Sequence, residues 1–223
     1  MKIIVTSGPS YEPIDEVRRI TNFSTGELGV LLSNALAVDG HEVFCLKGVN
    51  ATHPGPLDSR VHHLPFTTND DLLGQITGLA AKHEIGALLH VAALADYKVK
   101  SVSDERGLRQ DTSKIESRSG ALTIELEPAR KVITALRSLL PTARLIGWKY
   151  ELNGTRADAL AKAWKQLREN GTDACVVNGR AYGTGFGYCT PPDHIAELAD
   201  KPALVKFITD GLKSPQPLAG GRN

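Results

Sequence analysis

Long hydrophobic runs and an excess of one charge sign are both missing from this sequence. No segment approaches the length of a transmembrane helix, and the chain opens on a strand pattern without the features of a signal peptide. Lysine and arginine (26) balance aspartate and glutamate (25), for a formal net charge of +1. This balance provides no global field for nucleic acid or for an anionic membrane. We therefore expect a cytoplasmic protein that binds neither of them and holds any anionic ligand by local charges.

Cysteine is scarce as well. The three cysteines, Cys45, Cys175 and Cys189, are odd in number and widely spaced, which fits neither a disulfide framework nor a zinc site. Cys45 and Cys175 lie within apolar strand patterns, so we interpret both as core residues rather than nucleophiles. No residues are predicted as metal ligands.

Apolar strand patterns and amphipathic helix patterns alternate along most of the chain. Such alternation is typical of a mostly parallel sheet with helices on both faces. The predicted strands cover residues 3–5, 42–46, 61–64, 87–92, 144–148 and 173–178. The predicted helices begin near Leu28, at an Asn69 cap, at Pro128, at Thr155 and after Lys201. We predict one Rossmann-like α/β domain over residues 1–213 and a disordered tail over residues 214–223.

A polar segment interrupts this alternation. Residues 97–120 begin with neither helical nor strand periodicity and predict an inserted flap. Its second part, with residues 114–117, a turn at Ser119 and Gly120, and the alternating residues 121–127, predicts a hairpin. A further irregular loop is predicted over the glycine-rich residues 179–192.

The loop after the first strand is the most informative part of the sequence. Gly8 follows the strand, and Ser24, Thr25 and Gly26 precede a helix. Free backbone N–H groups at a helix N-terminus, joined by hydroxyls and a small glycine, can receive a phosphate. For an arbitrary polar loop, a solvated connection without a specific task is the better interpretation. The combination of residues found here favours a phosphate site instead.

An NAD(P)-dependent reductase of the short-chain type is one alternative. Gly8 stands alone where that class has Gly-x-Gly-x-x-Gly, and the predicted second strand ends without a carboxylate for a ribose. No Tyr-x-x-x-Lys pair occurs either. These gaps count against a reductase.

Three motifs carry a resemblance to a known family. They are TSGPSYEPIDEVR at residues 6–18, ITNFSTG at residues 20–26 and AALADY at residues 92–97. Together they resemble phosphopantothenoylcysteine synthetase, also called phosphopantothenate–cysteine ligase, of the DNA/pantothenate metabolism flavoprotein family. The family resemblance covers nearly the whole chain. It implies a ligase of coenzyme A synthesis that joins 4′-phosphopantothenate to cysteine through an acyl-nucleotidylate, releasing pyrophosphate and then a nucleoside monophosphate.

The resemblance also implies roles for individual residues. Asn22 would orient the acyl-nucleotidylate, and Lys114 would be the flap cation that acts on it. The other implied contacts are to the nucleotide: Gly8, Ser24, Thr25, Gly26, Ala92, Ala93, Asp96, Pro128, Ala129, Trp148 and Lys149. Without the resemblance, Asn22 could be a helix cap, Asp96 a turn residue and Lys114 a solvated lysine.

Cofactor and partner expectations follow from the same resemblance. It implies Mg²⁺, CTP or ATP as co-substrate, a homodimer, and no flavin domain in this chain. Trp148 and Lys149 look more like members that accept ATP than like common CTP-dependent ones. Gln166 and Asn170 stand where those members have two triphosphate lysines. A non-catalytic nucleotide-binding relative is therefore the second alternative.

Overall fold

Regular structure follows the predicted alternation of strands and helices. The computed structural model describes residues 1–108, 114–116 and 120–213, so Ser119 and the predicted tail lie outside the described residues. The strands in these ranges are β1 (Lys2–Ser7), β2 (Tyr11–Pro13), β3 (Arg19–Thr21), β4 (Glu42–Gly48), β5 (His62–Phe66), β6 (Ile85–His90), β7 (Tyr97–Asp104), β8 (Leu122–Pro128), β9 (Arg144–Tyr150), β10 (Ala174–Asn178), β11 (Phe186–Thr190) and β12 (His194–Leu198). The helices are α1 (Glu27–Val38), α2 (Asn69–Lys82), α3 (Ile133–Leu139), α4 (Arg156–Asn170) and α5 (Lys201–Lys213).

Eight strands form the central sheet, in the order β12-β11-β10-β9-β6-β1-β4-β5. Six of these strands run parallel to one another: β10, β9, β6, β1, β4 and β5. β11 and β12 extend the sheet beyond β10 with antiparallel pairing. The chain builds outward from β1 to β5 and then returns to β6 on the other side of β1. This order confirms the predicted Rossmann-like class. It creates a topological switch point between β1 and β6, where open α/β sheets bind ligands.

Helices cover both faces of the sheet, as the apolar patterns predict. Leu36 of α1 packs with Val5 in one core layer, which α5 completes. Ile76 of α2 packs with Ile4 in the opposite layer, together with α3. Neighbouring residues of β1 can serve both layers because side chains alternate across a strand. Each such buried aliphatic side chain stabilises the fold by about 1.5–3 kcal/mol.

The inserted hairpin differs from the predicted one. β8 pairs with β7, which was predicted to lack regular structure, and the described residues 114–116 lie outside the strands. β7 has no apolar alternation for a sequence pattern to reveal. Pro128 ends β8 instead of opening a helix, and α3 begins at Ile133. Proline is tolerated in an edge strand because it need not donate to the ladder there.

The glycine-rich segment predicted as an irregular loop contains β11, and β12 follows it. Tyr188 and Cys189 of β11 are buried, and Cys189 lies opposite Cys175 in the antiparallel ladder with β10. Cys45 and Cys175 are buried free thiols, as predicted. Burial raises the pKa of the Cys45 thiol, which makes it a poor nucleophile.

Candidate active site

The carboxyl ends of β1 and β6 meet at the switch point of the sheet. The Ala93 N–H donates to the carbonyl of Gly8 at 3.0 Å, and Pro9 and Ala93 form a parallel bridge. Two residues predicted to contact the nucleotide, Gly8 and Ala93, are therefore hydrogen-bonded to each other. They lie at the carboxyl-terminal ends of the central strands, where this fold class places ligands.

Gly8 and Gly26 bring the first loop and the start of α1 close together. Each has a positive φ of 77°, a conformation that glycine adopts without a steric penalty. A Cβ built on Gly26 would lie 3.3 Å from the Cα of Gly8, and one on Gly8 would lie 2.7 Å from the Cβ of Ala51. Gly26 precedes α1 and offers no side-chain cap, which leaves the N–H groups of the first turn other than that of Glu27 available to an anion.

Ser24 and Thr25 precede the cap residue of α1. Ser24 is half-buried and Thr25 is exposed. The Thr25 hydroxyl accepts a hydrogen bond from the Glu27 N–H at 3.3 Å, so it is occupied locally. Glu27, in the first turn of α1, forms an ion pair with Lys201. This contact lowers the pKa of Glu27 and offsets its charge beside the predicted phosphate site.

Asn22 binds the backbone that follows β6. Its Nδ2 donates to the carbonyls of Leu94 at 2.8 Å and Ala93 at 3.3 Å. Because both partners are acceptors, the amide orientation is fixed, and Oδ1 is left to accept from a ligand. The helix-cap interpretation of Asn22 is wrong, since Gly26 occupies the cap position of α1. The structure thus brings Asn22 together with Gly8 and Ala93.

Lys114 is held near the first loop by its neighbour in the chain. The buried Asp15 carboxylate accepts the backbone N–H groups of Val17 at 2.9 Å, Arg18 at 2.6 Å and Ile115 at 3.2 Å. Arg18 also donates to the Ile115 carbonyl at 3.1 Å. Although desolvation opposes ionisation, these hydrogen bonds hold the pKa of Asp15 below its usual value. Lys114 itself is exposed beside this anchor.

A cavity of about 470 Å³ lies next to the switch point, between the ends of β6 and β9. It contains four of the residues predicted to contact the nucleotide: Ala92, Asp96, Trp148 and Lys149. Ala129 lies outside the lining but donates its N–H to the Asp96 carbonyl at 2.9 Å. Pro128 is exposed and pairs with Tyr97 in the hairpin. The predicted residues therefore form two adjoining groups, one at the switch point and one in the cavity.

Basic side chains surround the cavity, and most of them were not predicted. The basic residues of its lining are Arg130, Lys131, Lys149, Lys162 and Lys165. Lys162 pairs with Glu151 at 2.5 Å and Lys165 with Glu169 at 3.7 Å. Lys149 has no ion-pair partner within the described ranges. Because only Asp96 and Glu169 carry negative charge in the lining, the cavity suits an anionic ligand.

Gln166 and Asn170, the positions of the expected lysines, both line the cavity. Gln166 is only 8% exposed, and its Nε2 lies 3.4 Å from the Cys175 Sγ. A Cβ on Gly147 would lie 2.3 Å from the same Nε2. Gln166 is thus a neutral part of the cavity wall, packed against β9, while the positive charge lies on other residues.

His90 is a cavity residue that the apolar character of β6 concealed. It is 8% exposed, and its Nδ1 lies 3.1 Å from the Thr6 Oγ1, which also accepts the Ala92 N–H at 3.1 Å. Burial lowers the pKa of His90 to about 4. The imidazole is therefore neutral at physiological pH and adds a polar group without charge to the cavity.

The described residues include neither a membrane-spanning helix nor a cluster of metal ligands. None of the described helices is both long and apolar enough to cross a bilayer. Within the same ranges, no group of three or more His, Cys, Asp and Glu side chains is arranged to hold a metal ion.

The fold and the site define a Rossmann-like α/β domain with a cationic cavity beside its switch point. Residues 1–201 match the family described as the DNA/pantothenate metabolism flavoprotein C-terminal domain. The chain belongs to this family, as the motifs of the first loop predict.

Individual proteins similar to this chain support the family assignment. The chain is 28% identical over 185 residues to the coenzyme A biosynthesis bifunctional protein CoaBC of Thermococcus kodakarensis, which covers 82% of this chain and 42% of that protein. A DNA/pantothenate metabolism flavoprotein from Streptococcus pneumoniae has a TM-score of 0.83 at 24% identity, over 96% of this chain and 98% of that one. A Cab2 mutant in complex with phosphopantothenate-cysteine has a TM-score of 0.71 at 19% identity, over 95% and 87% of the two chains. The chain spans less than half the length of the curated CoaBC relative, and the structural matches establish a shared fold.

Proposed function

We propose that this protein ligates 4′-phosphopantothenate to cysteine through an acyl-nucleotidylate. The observation that carries the proposal is the meeting of Gly8, Asn22 and Ala93 at the switch point, directly beside a cationic cavity. A nucleotidyl transfer to a carboxylate needs hydrogen-bond donors and cations around crowded anions. The family assignment supports this chemistry, and the complex of the Cab2 mutant with phosphopantothenate-cysteine supports the choice of substrates. The family assignment does not support the reductase alternative.

Each group of residues has a part in this proposal. The N–H groups at the start of α1, beside Gly8 and Gly26, hold phosphate oxygens. Asn22 Oδ1 accepts from the acyl-nucleotidylate and orients it for attack by the cysteine amine. Lys114 stabilises the negative charge that develops on the reacting phosphate or carbonyl oxygens. Lys149, which has no ion pair in the described ranges, is available for the triphosphate.

Nucleotide and metal belong to the same proposal. CTP or ATP serves as co-substrate, with its base in the cavity beside Ala92 and Trp148 and its phosphates toward the basic side chains. Mg²⁺ binds with few protein carboxylates and keeps phosphate and water ligands, so Asp96 and Glu169 of the cavity fit the small share it requires. When bound, the ion neutralises charge on the phosphates. The basic residues of this chain supply the rest.

A homodimer is part of the proposal as well. Leu122, Ile124 and Leu126 of β8 are 37%, 36% and 43% exposed, and alternate residues of a strand share a face. These three side chains form an apolar row on the inserted hairpin, and a second copy of the chain would cover this row. Light scattering should show a dimer that Leu126→Lys converts to a monomer, whereas Thr123→Lys, on the opposite face, should leave it intact. A monomeric wild type would contradict this part.

The function itself is tested by pyrophosphate release. With 4′-phosphopantothenate, cysteine and either CTP or ATP, the protein should release pyrophosphate and form an amide, and omission of 4′-phosphopantothenate should stop both. Asn22→Asp should impair turnover of the intermediate, and Lys114→Gln should slow its formation or use. Asn34→Ala is a control, because Asn34 binds the backbone of Pro56 and Asp58 away from the site. Absence of release with both nucleotides would favour the non-catalytic alternative.

A further inference from the structure

Asn69 is a buried amide that the described part of the chain satisfies on one side only. It is 2% exposed and lines the cavity. Its Nδ2 donates to the carbonyls of Ala95 at 2.8 Å and Arg130 at 3.1 Å. Two carbonyl partners require the amino group at this position, which fixes the orientation of the amide. Its Oδ1 is left buried without a hydrogen-bond partner among the described residues.

This acceptor has no task in the helix that begins at Asn69. The sequence predicts Asn69 as the cap of α2, but Thr68 takes that position, and its hydroxyl accepts the Asp71 N–H at 3.2 Å. Most buried polar side-chain atoms in native proteins have a partner. An unpaired Oδ1 in a cavity wall therefore indicates a ligand that brings a donor.

The unpaired acceptor distinguishes between the parts of a nucleotide. Ionised phosphate oxygens only accept hydrogen bonds, so they cannot satisfy the Asn69 Oδ1. An exocyclic amino group of a nucleobase supplies the donor that this buried acceptor lacks.

We infer that Asn69 is a nucleobase-specificity residue, whose Oδ1 accepts a hydrogen bond from the exocyclic amino group of adenine or cytosine. In both bases that amino group carries N–H donors at the edge of the ring. Uracil and guanine present a carbonyl in place of the amino group and would set an acceptor against Oδ1. The inference rests on the proposed function, because it concerns the nucleotide of that reaction.

Removal of the amino group from the nucleotide provides the test. The ligation rate, as kcat/KM for the nucleotide, should be about 10- to 100-fold higher with ATP than with purine riboside triphosphate, or with CTP than with UTP. Asn69→Ala should reduce this preference to about 3-fold or less. Asn34→Ala should retain the wild-type ratio.

Each outcome bears on a different claim. Ligation by the wild type at equal rates with and without the amino group would overturn the role of Asn69. A preference that persists at full size in a folded Asn69→Ala variant would overturn it as well. If Asn69→Ala does not fold, the wild-type ratio still tests the role of Asn69. Absence of ligation with all four nucleotides would instead contradict the proposed function.

Discussion

Replacing Gly8 with alanine should destabilise the protein through one identifiable contact. A Cβ at Gly8 would lie 2.7 Å from the Cβ of Ala51, with the next atoms, the Gly48 N and the Ala51 Cα, at 3.5 and 3.6 Å. Gly8 also has a φ of +77°, which disfavours any residue with a Cβ. Two penalties therefore add at this position, one from the backbone and one from the contact.

Gly40 separates the two penalties. It has a φ of +82° with nothing within 4 Å of its built Cβ, so Gly40→Ala carries the backbone penalty alone, about 1 kcal/mol. Gly8→Ala adds an overpacking cost of about 1–3 kcal/mol, for a total of about 2–4 kcal/mol. Since Ala51→Gly removes the contacting Cβ, the double variant should recover most of the overpacking cost.

Urea unfolding of the wild type, of Gly8→Ala, of Ala51→Gly and of the double variant measures this recovery. The double-mutant cycle should give a coupling of about 1–3 kcal/mol between Gly8 and Ala51. If the proposed phosphate site is correct, the ligation rate should fall with Gly8→Ala and recover with the added Ala51→Gly. A coupling within about 0.5 kcal/mol of zero would refute the steric reasoning.

Three further predictions concern the site and its support. His90→Met should remove a pH dependence of stability. In the wild type, His90 gains a proton below pH 6.5 when the chain is unfolded but only near pH 4 when it is folded. Wild-type stability should therefore fall by up to about 3 kcal/mol as the pH falls through that range. Urea unfolding at pH 7, 5 and 4 checks this. Lys149→Gln should raise the nucleotide KM about 10-fold, while Lys206→Gln, on α5, should not. Asp15→Ala should speed hydrogen exchange at the Ile115 amide, which loses its acceptor; unchanged exchange would contradict the anchor.

The parts of the fold that sequence could predict are those with a periodic apolar pattern. β1, β4 and β6 are almost continuously buried and have apolar centres because helices cover both their faces. β8 was predicted to within one residue by its alternating pattern, whereas β7 escaped prediction because its sequence has no apolar alternation. Pro128 was misleading because proline suits both a helix start and the end of an edge strand.

The site divides in the same way. Gly8 and Asn22 could be found because they lie in one continuous motif, and the structure adds that both contact the chain after β6. Asn69 and His90 could not be found, because a cavity wall is assembled from residues far apart in sequence, and each residue reads locally as a helix cap or a strand residue. Their chemistry emerges only from burial and from the partners that each atom has or lacks.

The central claim is that the substrate carboxylate attacks the α-phosphate of the nucleotide. The most direct measurement uses 4′-phosphopantothenate labelled with ¹⁸O in its carboxylate, with cysteine and CTP or ATP. Mass spectrometry should find one ¹⁸O atom in the released CMP or AMP and none in pyrophosphate. A label that appears in inorganic phosphate together with CDP or ADP would contradict the account, because it would show attack on the γ-phosphate.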